Sequence, residues 1–276
     1  MARSAIRRGG GTRFGTARRS QGEGAWLWWL LIVISVLAMA AGFFAVQWVR
    51  RSGQIDAATL CPADGPAGVL VAVLDLTDPL SPAQSARLRG ELQREIEASP
   101  AGTMISVGLV SADPANWGAR FALCKPREGK EASELYENPG LIAERYEKGF
   151  REPLDATLGA MIGRAAEKSS PIMEGLQAVI AATPGFADSK GSRRLLVASD
   201  LLQHSEVLSF YRGEDWEHFA ASRDFTRLAG NLEGVEVLLL RVPRPQARIA
   251  EPAAVEDFWA NYFDHQLAAS VRSRVL

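Results

Sequence analysis

The sequence is poor in the residues that catalytic and nucleotide-handling proteins usually display. It has three histidines and two cysteines in 276 residues. His204, His218 and His265 are scattered, with no H-E-x-x-H, and two distant cysteines without nearby histidines make no zinc site. No G-x-x-x-x-G-K-[ST] occurs, and no G-x-G-x-x-G follows a strand pattern, so a nucleotide's phosphates would find no cradle. G-x-S-x-G is also absent, which removes the nucleophile turn of the α/β-hydrolases. Beyond residue 51 basic charge is short too, with 23 Lys and Arg against 31 Asp and Glu, a net of −8. Phosphate neutralisation needs clustered Lys and Arg, so nucleic acid is not an expected partner. No fixed-period repeat is present.

The missing basic charge is concentrated at the start. Residues 1–51 hold eight arginines against the single acid Glu23, and 1–25 read as a disordered basic tail rich in Arg, Gly, Ser and Thr. Residues 26–49 are almost wholly apolar, with Trp26, Trp28, Trp29 and Trp48 near the ends. That is longer than the roughly 20 residues a bilayer-spanning helix needs, and the tryptophans sit where interfacial belts form. Six arginines precede the span and only Arg50 and Arg51 follow it closely. The positive-inside rule then predicts a cytoplasmic N-terminus and a main domain on the periplasmic or extracellular side. Ala38-Met39-Ala40 offers a cleavage-site pattern, but the apolar run continues through Phe43, Phe44, Val46 and Trp48, which favours an uncleaved anchor.

After a polar linker over 50–67, residues 68–276 alternate between strand and helix patterns. Strands are expected at 69–75, 103–110, 120–124, 194–200 and 235–242. The first and fourth are continuous apolar runs, as in strands covered on both faces. Helices are expected at 82–98, from 141 with an apolar residue every fourth position and a break at Pro153, after Ser170-Pro171, near 221–231, and at 253–270. Lys125–Gly140 reads as a charged surface loop, and Glu214–Glu217 as an exposed loop whose Trp216 faces a partner. The alternation predicts a single α/β domain, a doubly wound, mostly parallel sheet flanked by helices.

Cys61 precedes the first strand, and Cys124 ends a strand expected to run antiparallel, which brings both to one edge of the sheet. Outside the cytoplasm such a pair is expected to form a disulfide; two buried thiols are the alternative.

Polar residues gather at strand ends. Asp75, Thr77 and Ser81 follow the first strand, Ser169 and Ser170 start a mid-chain helix, and Asp200 ends the fourth strand. In open α/β sheets ligands bind at the carboxyl ends of strands. Carboxylates and hydroxyls together suit a hard cation such as Mg²⁺. Individually each residue also has a structural use: Ser81-Pro82-Ala83-Gln84 is a capping box, Ser170-Pro171 an N-cap, and the two aspartates can fix turns.

In this order of elements the chain resembles a von Willebrand factor type A (vWA) domain, over roughly residues 68–245. That family places D-x-S-x-S after its first strand, a threonine before a later helix and an aspartate after the fourth strand, together a metal-ion-dependent adhesion site. Asp75 and Thr77 match the first two positions, and Ser170 and Asp200 resemble the later two. The third position is Pro79, which has no ligand atom; Asp78 or Ser81 are the candidates to compensate. The resemblance implies a non-enzymatic, membrane-anchored interaction module that binds a protein partner's acidic side chain through Mg²⁺. Replacing Asp75 with Ala is expected to abolish capture and leave the fold intact. A metal-free scaffold of a membrane complex is the alternative that Pro79 favours. A hydrolase using Asp75 or Asp200 with His204 as base is a third reading.

Overall fold

The computed structural model describes residues 25–52, 55–133, 137–163, 166–244 and 252–276. Apart from Ala25, the expected basic tail lies outside them. The chain divides into two compact units, Met1–Arg51 and Ser52–Leu276.

In the first unit a helix, α1, runs over Ala25–Ser52. Its stretch Trp26–Gln47 is long and apolar enough to cross a membrane. At 1.5 Å per residue, 22 residues reach about 33 Å, close to the ~30 Å of hydrocarbon they would have to cross.

In the second unit the strands are β1 (Gly68–Asp75), β2 (Thr103–Val110), β3 (Ala119–Cys124), β4 (Arg193–Ser199), β5 (Val235–Arg241) and β6 (Ser270–Val275). They form one sheet in the order β3-β2-β1-β4-β5-β6, with β3 antiparallel to β2 and all other pairs parallel. The helices are α2 (Pro82–Glu97), α3 (Pro139–Tyr146), α4 (Glu152–Ile162), α5 (Ile172–Ala182), the short α6 (Trp216–Ala220) and α7 (Phe225–Leu228), and α8 (Pro252–His265). This is the doubly wound α/β fold that the alternation predicts. Its order reverses between β1 and β4, and such a switch point leaves a crevice at the strands' carboxyl ends.

Side-chain alternation sorts the core into two layers. Val69, Val71 and Val73 of β1 join Leu195 and Val197 of β4 beneath α5 and α8, among Leu176, Val179, Phe258, Trp259 and Tyr262. Leu70, Ala72 and Leu74 point the other way, to Leu88, Leu92 and Ile96 of α2 and Leu154 and Leu158 of α4. Every residue of β1 is buried, which is why the run is unbroken by polar side chains.

Several local expectations are corrected. A sixth strand, β6, follows α8, which ends at His265 rather than 270. Leu267, within the expected helix, lies beyond its end at φ 63° and is exposed. The helix expected near 221–231 is reduced to α7, with α6 standing before it over Trp216–Ala220, and Trp216, expected to face a partner, packs against Phe219, Phe225 and Phe258. At Pro153 the helix is relieved by a π turn over Glu147–Arg151, which passes the ring without an α-ladder clash. Lys125, read as the start of a surface loop, is buried. Its ammonium donates to the carbonyls of Glu97 and Ser99 at the end of α2 and pairs with Glu128 at 3.0 Å.

The expected linker is held to the domain from Ile55 on. Ile55 bridges Pro62, Cys124 donates its N–H to the Thr59 carbonyl, and Cys61 and Cys124 are joined in a disulfide. With the cysteines 63 positions apart in sequence, breaking the link should cost about 2–4 kcal/mol, by releasing a long loop in the unfolded chain. Thermal melts of the full chain in detergent, oxidised, reduced and as Cys61→Ser/Cys124→Ser, should show the two latter forms melting together and lower; equal melting of all three would refute this.

Candidate binding site at the strand ends

Alternation along β1 puts Asp75 on the same face as Val71 and Val73, and along β4 it puts Ser199 on the face of Val197. That is the face α5 covers, and Ser170 stands two residues before α5. The three meet. Asp75 Oδ2 accepts from Ser199 Oγ at 2.6 Å and from Ser170 Oγ at 3.1 Å, while Oδ1 accepts from Thr77 Oγ1 at 2.7 Å and Thr77 N at 3.3 Å. All four residues are buried.

Ser170 is free for this because it is not the cap of α5. The buried Gln203 does that work instead: its Oε1 accepts from Met173 N at 3.0 Å. Ser170 and His204 exchange backbone hydrogen bonds of 2.8 and 2.9 Å, which pins the helix start to the loop after β4. In that loop Ser199 Oγ also accepts from Leu201 N at 2.7 Å. Leu201 adopts φ 65°, uncommon for a bulky side chain. Its buried side chain and its carbonyl, bonded to Trp259 Nε1 at 2.8 Å, hold it there.

Asp200 stands beside this hub. Its Oδ1 accepts from Leu202 N at 2.9 Å, and its Oδ2 lies 3.5 Å from Arg244 Nε. Burial, and then the charge of Asp75, push its carboxyl up to about 6. Burial first, then Asp200, Asp78 and Asp75, raise the half-exposed Tyr211 hydroxyl as well, so all three carboxylates act at one place. Thr77, Asp78, Ser170, Asp200, His204 and Tyr211 line a cleft of about 290 Å³ there.

Of the sequence candidates, Asp75, Thr77, Ser170 and Asp200 thus meet at one end of the sheet. Asp78 is exposed on the rim. Ser81 is spent elsewhere: its Oγ accepts from Gln84 N at 3.2 Å and caps α2. His204 lines the cleft, but its Nδ1 pairs with the buried Ser209 Oγ at 2.7 Å, and among the described residues no hydrogen bond joins it to either aspartate. Two members were not singled out from the sequence. Ser199 was detectable by its parity with Val197. Arg244 had no local signal.

Arg244 decides how the donor set suits a divalent ion. Its Nη1 donates to the Pro79 carbonyl at 2.9 Å and its Nη2 to the Asp78 carbonyl at 3.0 Å. Mg²⁺ takes near-octahedral oxygen ligands at roughly 2.0–2.1 Å. Here both Asp75 oxygens are saturated by donors, Pro79 supplies no side-chain oxygen, the loop carbonyls are taken by Arg244, and Asp200 faces that same guanidinium. Among the described residues no group of three or more His, Cys, Asp or Glu side chains could hold a metal. The arrangement does not fit a resident Mg²⁺.

No family model matches the chain, and no curated protein matches it. Among solved structures it is similar to the conserved hypothetical protein BatB from Bacteroides thetaiotaomicron, at 13% identity and a TM-score of 0.39 over 75% of this chain and 90% of that one. An aerotolerance-related membrane protein from Bacteroides fragilis NCTC 9343 is similar at 10% identity and a TM-score of 0.34, over 75% and 90% of the two chains. The VWA domain of SpRpn10 is similar at 9% identity and a TM-score of 0.40, over 76% and 88%. Proteins this distant carry no residue roles across; the site stands on its own geometry.

Two outcomes follow from that geometry. Asp75→Ala leaves three buried hydroxyls without their acceptor, at about 1–3 kcal/mol for each group left unsatisfied. The fold is therefore not expected to be indifferent to it: a loss of about 3 kcal/mol or more should appear in denaturant titration. Asp200 binds its proton more tightly folded than unfolded, since its carboxyl is raised from 3.8 to about 6. Between those values the folded state holds more protons, so this group's contribution to stability falls as pH rises from about 4 to about 6. Denaturation midpoints of Asp200→Asn should lack that decline; a parallel profile to wild type would show the aspartate is not its source.

Proposed function

We propose that the chain is a membrane-anchored interaction module whose strand-end cleft captures a protein partner. The observation that carries this reading is the placement of a polar cleft, stiffened by the Asp75 hub, at the switch point of a doubly wound sheet. Such crevices are where open α/β sheets bind. The Trp26–Gln47 helix serves as the anchor. The arginine excess before the span favours a cytoplasmic N-terminus, and the Cys61–Cys124 disulfide favours an oxidising compartment for the domain, periplasmic or extracellular.

The rim determines what the cleft takes. Asp78 is an exposed carboxylate, Tyr211 is half-exposed, and Asp200 reaches the surface slightly. These three groups offer mainly acceptors, while the exposed Lys168 lines the same cleft with one ammonium. The partner group is then a hydrogen-bond donor, a lysine, arginine or amide side chain, rather than the acidic group that an ion-bridged site would take.

The test is cross-linked pull-down from detergent-solubilised membranes, using the full chain. Asp78→Lys should lose the captured partner at least tenfold with an unchanged melting temperature. Asp188→Lys, an exposed reversal ahead of β4 at the opposite end of the sheet, should keep it. A partner retained by both variants, or lost by both, would remove the cleft from the interaction.

A further inference from the structure

We propose that Arg244 is the strand-end site's built-in cation, standing where the loop geometry would otherwise call for a metal ion, so that the cleft works without one. The proposal rests, for its consequence, on the reading of the cleft as a binding site; its test reads the arginine and the ion, and no partner.

Charge sets the first constraint. Asp75, Asp78 and Asp200 act on one another's surroundings at one end of the sheet. Buried carboxylates need a compensating positive group. Three neutral hydroxyls and an amide satisfy the lone pairs of Asp75, and the Leu202 amide satisfies one oxygen of Asp200. Among the described residues, Arg244 alone brings formal positive charge into contact with Asp200, at 3.5 Å.

The geometry is that of a clamp. The planar guanidinium has five N–H donors in a fixed fork. One terminal nitrogen holds the Pro79 carbonyl and the other the Asp78 carbonyl, while Nε is turned to Asp200. Nε is buried and has no hydrogen-bond partner among the described residues, so what it gives Asp200 is charge. Arg244 thereby joins the segment after β5 to the loop after β1, across the loop after β4 that lies between them in the sheet order. Pro79 completes the picture: lacking a side-chain oxygen, it contributes its carbonyl, and a carbonyl is what the guanidinium takes. A divalent ion brought to Asp200 would meet this fixed positive charge and be repelled.

The full chain in detergent is melted with 5 mM MgCl₂ and with EDTA, as wild type, Arg244→Gln, Asp200→Asn and the double variant. Glutamine removes the charge; its single, shorter amide nitrogen also gives up bonds to the two carbonyls, a loss common to both backgrounds. The expected result is a wild-type melting temperature unmoved by either addition, a clear fall for Arg244→Gln, and a distinctly smaller fall when that change is made on Asp200→Asn. A Mg²⁺-dependent rise in wild type that EDTA reverses would overturn the proposal. So would an Arg244→Gln effect of equal size in both backgrounds, because the arginine would then not be acting through Asp200.

Discussion

The strand-end architecture depends on one buried carboxylate. Asp75 ends the central strand and is held by hydroxyls from three places: its own loop at Thr77, the approach to α5 at Ser170, and the neighbouring strand at Ser199. A charged acceptor makes each of these bonds stronger than a bond between neutral groups. The same low-dielectric setting makes any one of them costly to lose. The constraint therefore runs both ways. The hub fixes the relative positions of three segments whose sequence separations are large, and those segments leave the aspartate no vacancy for anything else. Glu167 extends the same logic outward: its amide bonds the Thr77 carbonyl, and its carboxylate accepts from Ser111 Oγ and Ala112 N beyond β2.

Charge then separates the roles of the two aspartates that the sequence presents as equivalents. Asp75 is bonded on both oxygens by four neutral donors. Asp200 has one amide and one arginine, and its carboxyl is the one pushed up by burial and by its neighbour. Sharing an ion would treat them as a pair; the observed bonds give one a structural task and leave the other at the floor of the cleft.

The strands carrying this arrangement were legible because β1 and β4 are buried on both faces and so read as uninterrupted apolar runs. β6 was not, for the opposite physical reason. It is an edge strand with every residue exposed, and its Arg272 and Arg274 look outward to Glu236 and Glu91. Such residues are common at edges, where charge discourages pairing with another chain. The meeting of Asp75, Thr77, Ser170 and Asp200 could be anticipated from topology, since strand ends on either side of the switch point must be neighbours. The assignment of their bonds could not. Ser170-Pro171 has the local form of a helix cap, and only the tertiary arrival of Gln203 frees its hydroxyl. Arg244 lies between two prolines in a stretch with no periodicity, and the two carbonyls it holds are more than 160 residues away.

The cleft's chemistry follows from how completely its floor is satisfied. A binding site that must rearrange on contact spends interaction energy on ordering, whereas a fixed one does not. Here the floor is bonded before any partner arrives: Asp75 to four donors, Gln203 to α5, and the Asp78–Pro79 carbonyls to Arg244. What remains free is the rim, where the Asp78 carboxylate and Tyr211 stand in solvent. The left-handed turn at Leu201 keeps Asp200 turned toward the opening while Leu201 and Leu202 go into the core.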